Sequence, residues 1–116
     1  MSYKIYYNTR CRKSREGLQY LQKQEIYPEI IEYLKDSPFT KENLMEIINK
    51  LGIKPSELIR TQEQIYKQNY KGKNFSDDEW ITILVENPKL IRRPIIIKDE
   101  NKAVIGDIIE NIDPLL

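Results

Sequence analysis

The chain has 116 residues, 40% hydrophobic and 32% charged, with 4 Gly and 6 Pro, a balance that supports a folded core and excludes collagen-like, low-complexity or disordered organisation. It holds no histidine and a single cysteine, which excludes imidazole catalysis, an internal disulfide and a multi-thiolate zinc site. The formal charge of +1 gives no support to direct nucleic-acid binding through a basic domain, and the longest aliphatic run, Ile95–Ile97, is far short of a membrane span. The length fits a single domain over residues 1–116. With no signal-like apolar stretch after Met1, the expected setting is the cytoplasm, with no membrane partner.

The overall charge hides an asymmetry. Up to Arg15 there are five basic residues (Lys4, Arg10, Arg12, Lys13 and Arg15) and no acid, which leaves 14 basic against 18 acidic residues in the rest of the chain. Positive charge is gathered around Cys11, the one thiol.

Tyr3 to Tyr7 is rich in strand formers, and Asn8-Thr9 interrupts it with turn and capping residues. A helix from about Cys11 to Gln24 places Ser14, Gly17, Leu18 and Leu21 on one face. After Pro28, Glu29 to Leu34 reads as a second strand, long enough in its connection to pair in parallel with the first. Thr40 caps a helix whose Leu44, Ile47, Ile48 and Leu51 share a face and which ends at Gly52. Pro55 opens a short helix, and Thr61 to Asn69 is expected to be helical with a thin apolar face. Ser76 with Glu79 forms a capping box for a helix carrying Trp80, Ile81, Ile83, Leu84 and Val85, closed by Pro88. Ile95 to Lys98 and Ala103 to Ile105 form a hairpin around a polar turn, and Asp107 with Glu110 caps a last helix through about Ile112. The order predicts an α/β, thioredoxin-like mixed sheet with a helical insertion between a β-α-β half and a β-β-α half.

A thiol at the first turn of a helix meets the free N–H groups and partial positive charge of that end, which favour the thiolate. A drop of about two units from ~8.5, to which the flanking cations would contribute, makes thiolate the majority species at neutral pH. The same loop, Asn8 to Arg12, can cradle an oxyanion with backbone N–H groups while an arginine binds two of its oxygens. Lone cysteines also serve as small buried apolar groups and basic runs as solvated faces, so the residues by themselves leave both readings open.

Tyr7-Asn8-Thr9-Arg10-Cys11-Arg12-Lys13-Ser14-Arg15, Arg60 after Glu57-Leu58-Ile59, the run from Glu86-Asn87-Pro88 through Arg92-Arg93-Pro94-Ile95-Ile96-Ile97, and Val104-Ile105-Gly106 together resemble the glutaredoxin-linked arsenate reductase family. The resemblance spans nearly the whole chain in order. It implies a thioredoxin-like fold with a helical insertion, no bound cofactor, and a redox relay in which a cysteine thiolate attacks arsenate, glutathione acts as co-substrate and glutaredoxin resolves the mixed disulfide as arsenite leaves. It implies Cys11 as nucleophile, Asn8, Arg10, Arg12 and Ser14 in the active-site loop, Arg15, Arg60 and Arg93 as oxyanion-binding residues, and Pro94 as the cis proline opposite the cysteine. Without the resemblance, Arg60 reads equally as a surface ion pair and Arg93 as a solvated side chain.

Three positions depart from the family pattern. Tyr7 stands where well-studied members have a histidine, Thr9 replaces a common proline, and Gly106 occupies the position of a third anion-binding arginine, with Asp107 beside it. Loss of one charge-assisted bidentate contact is worth about 1.5 to 3 kcal/mol. A second reading on the same fold is a regulator of the Spx type, with RNA polymerase as partner. Many such proteins carry a Cys-x-x-Cys switch, whereas this chain has Ser14 in the second position. A third is a family member acting on a different thiol-linked substrate.

Overall fold

The computed structural model describes residues 2–116 and divides into two compact units, one formed by the chain up to Ser37 together with Arg93–Leu116, the other by Pro38–Arg92. The first holds a four-stranded mixed sheet. Its strands are β1 (Tyr3–Tyr6), β2 (Glu29–Ile31), β3 (Ile95–Lys98) and β4 (Lys102–Ile105), in the order β2-β1-β3-β4. β1 runs parallel to β2 and antiparallel to β3, and β3 antiparallel to β4. Helix α1 (Arg12–Lys23) makes the crossover from β1 to β2 that a parallel pair requires.

Register sets the core of this unit. Ile5 of β1 lies opposite Ile96 of β3, and both pack with Tyr7, Leu21 of α1, Ile112 and Leu115. Tyr7, two residues after Ile5, returns to the same face of the sheet. Each fully buried Ile or Leu of this cluster contributes about 1.5 to 3 kcal/mol over the exposed side chain. The hairpin between β3 and β4 turns at Asp99 and Glu100, both at positive φ (53° and 62°). Asp99 is also tied to Ser2, its N–H donating to the Ser2 carbonyl at 2.7 Å and its Oδ1 accepting from the Ser2 N–H at 2.8 Å.

The second unit is helical: α2 (Lys41–Leu51), a 3-10 turn at Pro55–Leu58, α3 (Gln64–Asn69), α4 (Asp77–Glu86) and a 3-10 turn at Pro88–Leu90. Thr40 and Ser76 cap α2 and α4 with reciprocal side-chain bonds to Asn43 and Glu79. Leu44, Ile47, Ile48, Leu58, Trp80, Ile81, Ile83 and Leu84 are buried. Ile59 and Ile91 form an isolated antiparallel bridge, flanked by the Arg60 N–H to Leu90 carbonyl bond at 2.7 Å and the Arg92 N–H to Leu58 carbonyl bond at 2.9 Å. The architecture is α/β and thioredoxin-like, with the helical unit inserted in sequence between β2 and β3.

Three elements differ from the sequence expectation. β2 stops at Ile31, whose carbonyl accepts from the Tyr7 N–H at 2.8 Å, and two residues on Tyr33 is fully buried. α3 begins at Gln64 and not Thr61, since Glu63 folds back on Arg60 through a backbone bond of 3.2 Å and a side-chain ion pair. The carboxy-terminal half is β-β followed by a 3-10 segment, Ile109–Leu115, in place of an α-helix: its cap residue is Ile108, one position after Asp107, and Pro114 lies inside it. Three residues per turn bring Ile112 and Leu115 to one buried face, which a 3.6-residue period aligns less well.

Candidate active site

Cys11 occupies the cap position of α1, with extended backbone (φ −96°, ψ 121°) and no acidic residue in the first helical turn. The loop that delivers it is fixed mainly by Asn8. The Asn8 carbonyl accepts from the Cys11 N–H at 3.0 Å, its Oδ1 accepts from the Arg10 N–H at 3.1 Å, and its own N–H donates to the Ser14 hydroxyl at 3.3 Å. Ser14 is completely buried, so this bond anchors the loop to the inner face of α1. The backbone of the helix is joined at the same point by the Arg15 N–H to Cys11 carbonyl bond of 3.1 Å.

The thiol is half-buried and free of disulfide. Burial pushes its pKa up, but the Ser14 N–H, a hydrogen bond from the Arg93 side chain, the Lys13 N–H and the Arg93 charge act against this, and the net effect is a lowered value. The cation at the sulfur is therefore Arg93, contributed from far along the chain. Arg93 is only 6% exposed, which removes the reading of a solvated side chain. Arg15 faces elsewhere: its Nη1 donates to the Thr9 carbonyl at 2.8 Å and braces the loop from outside. Arg12 is exposed and paired with Glu16 at 3.3 Å, while Arg10 and Lys13 are exposed beside the cysteine.

The Arg93–Pro94 peptide is cis, and the Pro94 carbonyl accepts from the Gly106 N–H at 2.7 Å. Helix α1 lies against this proline through Gly17, where a Cβ would stand 2.9 Å from Pro94 Cγ. A glycine inside a helix costs about 1 kcal/mol relative to alanine, and here the missing side chain leaves room for the Pro94 ring. The helix pattern places Gly17 on the inner face of α1, but the proline it packs against is far along the sequence.

The departures from the family pattern acquire physical content. Tyr7 is part of the core cluster, 8% exposed. Gly106 is buried, and a Cβ there would lie 3.1 Å from Ile96 Cδ1 and 3.2 Å from Ile112, so any side chain at 106 would start against the core. Arg60 belongs to the helical unit, where its Nη1 meets Glu63 Oε2 at 2.6 Å with both side chains 18% exposed. Glu63 was not singled out from sequence, although its i+3 spacing from Arg60 is a recognisable signal. Among the described residues no group of three or more His, Cys, Asp or Glu is placed to hold a metal ion, and no helix is long and apolar enough to cross a membrane.

A profile of the ArsC family matches residues 6–114. The chain is 39% identical over 105 residues to "Uncharacterized protein YfgD" of Escherichia coli K12, covering 89% of this chain and 87% of that one. It is 34% identical over 115 residues to an arsenate reductase of Neisseria meningitidis, covering 97% of each. Among solved structures, the arsenate reductase from Vibrio cholerae superposes with a TM-score of 0.91 at 37% identity, covering all of this chain and 98% of that one.

Proposed function

The chain belongs to the ArsC family, and from that membership and the Cys11–Arg93 contact we propose that it is a thiol-dependent arsenate reductase with Cys11 as nucleophile. The observation that carries the reading is a lowered-pKa thiol at a helix amino end with a buried guanidinium against it. Such a sulfur ionises more readily than a free thiol and lies beside donors that can hold an oxyanion.

In the first step the Cys11 thiolate forms a bond to arsenic, and one arsenate oxygen leaves with two protons as water. Arg93 is suited to hold the arsenate oxygens at the sulfur, and the N–H groups of the first helical turn add further donors. Arg15 keeps the loop in shape for this through Thr9. In the second step a glutathione thiolate attacks the Cys11 sulfur; the sulfur–arsenic bond breaks with its electron pair on arsenic, so As(V) becomes As(III) and departs as arsenite. The product is a Cys11–glutathione disulfide. Glutaredoxin then attacks the glutathione sulfur and releases Cys11 as thiolate, which its low pKa makes a good leaving group. A single-cysteine chain requires an external resolving thiol, and a reducing cytoplasm supplies both partners. The role of Arg60 in oxyanion binding rests on the resemblance, since its guanidinium is engaged by Glu63.

The test is a coupled assay with purified protein, arsenate, glutathione and glutaredoxin, following NADPH oxidation through glutathione reductase. Wild-type turnover that disappears in Cys11→Ser is the expected result. Turnover retained in that variant, or none in the wild type, would overturn the assignment.

A further inference from the structure

The cations around Cys11 divide into two sets. Arg93 is at the sulfur, Arg15 is bound to the Thr9 carbonyl at 2.8 Å, and Arg12 is paired with Glu16 at 3.3 Å. Arg10 and Lys13 are exposed, and among the described residues their side chains enter no ion pair and no hydrogen bond. Their backbones are nonetheless held in place. The Arg10 N–H is fixed on Asn8 Oδ1 at 3.1 Å, and Lys13 sits in the first turn of α1 with its N–H turned to the thiol. They therefore flank Cys11 at fixed points, on a stretch without any acid before Glu16, in a chain whose remainder is net acidic.

We propose that Arg10 and Lys13 form a carboxylate-recognising rim that docks the small thiol co-reactant over Cys11. The ligand class is a thiol carrying carboxylates at both ends, as glutathione does. The inference rests on the reading of Cys11 as the reacting thiol and names what selects its second reactant. The charge at the sulfur, Arg93, serves the oxyanion; the rim cations lie outside that contact and are left for a molecule whose carboxylates stand several bonds from its own sulfur. Two exposed cations attract such an anion over nanometre distances and raise its encounter rate with the sulfur. Each alone is weak, because exposed ion pairs are screened and flexible.

Thiol–disulfide exchange isolates this step from arsenate chemistry. The Cys11 thiolate attacks oxidised glutathione, forms Cys11–S–S–glutathione and releases one glutathione thiolate. The rate is measured by mass spectrometry on the whole protein against oxidised glutathione (anionic), bis(2-hydroxyethyl) disulfide (neutral) and cystamine (dicationic). Because ratios are taken within one variant, any change in the thiolate fraction cancels. The expected result is an anionic-to-neutral ratio that falls about two- to fivefold for each cation removed in Arg10→Ala and Lys13→Ala, with the cationic-to-neutral ratio moving the opposite way. Arg10→Lys and Lys13→Arg keep the ratio, and added salt erodes it in the wild type. An unchanged ratio in the double variant would overturn the proposal, as would an effect seen only in the reaction with glutaredoxin, which would assign the rim to a protein partner. Wild-type protein that fails to reduce arsenate yet shows the charge-dependent ratios would overturn the substrate while supporting the rim.

Discussion

The Arg93 side chain hydrogen-bonds the Cys11 thiol, so a residue just before the last β-hairpin joins the Ser14 and Lys13 N–H groups in lowering the pKa of a residue at the start of the first helix. Arg93 is buried, and its charge favours the thiolate beside it. Arg93→Met should therefore move the pH midpoint of Cys11 alkylation by iodoacetamide upward, and Arg93→Lys should move it less. An unshifted midpoint in Arg93→Met would show that the helix end alone lowers the pKa.

The same shift has a consequence for stability. A thiol whose pKa is lower folded than unfolded contributes stability above its unfolded pKa, and that contribution is lost as pH falls through the folded value. The difference in unfolding free energy between wild type and Cys11→Ala should therefore grow with pH between the two values, measured by urea titration at a series of pH values under reducing conditions.

Arg15 offers a separate test of how the loop is held. Its guanidinium bonds the Thr9 carbonyl from an exposed position, so Arg15→Ala should cost the fold about 1 kcal/mol or less. The loop it braces is the one proposed to receive the oxyanion. Arsenate should accordingly protect Cys11 from alkylation about fivefold less well in Arg15→Ala than in the wild type. Equal protection would leave Arg15 as a brace for the loop alone.

Local signals were strong wherever one residue decides an element. Thr40, Ser76 and Gly52 announce helix ends through their own chemistry, and the strand formers from Tyr3 and the three isoleucines from Ile95 mark strands that pair as neighbours. What was not legible depends on groups far apart in sequence. The approach of Arg93 to Cys11 and the contact of Pro94 with Gly17 join segments some 77 to 82 residues apart, and the bond from Arg15 to the Thr9 carbonyl depends on how the loop folds. The carboxy-terminal segment looked like a helix because Asp107 and Glu110 have capping-box spacing, but burial of Ile112 and Leu115 favoured a tighter winding. Local propensity lost there to tertiary packing.

Gly52 ends α2 at φ 69° and ψ 30°, with no atom within 4 Å of where a Cβ would be. A substitution there meets no steric contact, so its cost is backbone conformation alone. Gly52→Ala should destabilise the protein by about 1 kcal/mol, the left-handed penalty for an L-residue reduced by the smaller entropy of the unfolded alanine chain. Thermal unfolding followed by circular dichroism measures it.

Helix α1 ends in the same geometry without a glycine. The Ile26 N–H donates to the Leu21 carbonyl at 3.0 Å and the Glu25 N–H to the Gln22 carbonyl at 2.9 Å, which is the double bond pattern of a Schellman motif with Glu25 at the left-handed position, φ 61°. Ile26 packs on the core cluster that contains Leu21, as the motif's hydrophobic contact requires. Glutamate suffers the left-handed penalty of about 1 to 2 kcal/mol that glycine avoids, and glycine returns part of it through the greater entropy of its unfolded chain. Glu25 is exposed and enters no ion pair among the described residues, so little else is lost with its side chain. Glu25→Gly should stabilise the protein by about 0.5 to 1 kcal/mol, a rise of roughly 2 to 6 °C in Tm for a chain of this size. Gly52→Ala and Glu25→Gly thus test one backbone conformation in opposite directions, and a fall in Tm for Glu25→Gly would show that the end of α1 is held by contacts of the glutamate itself.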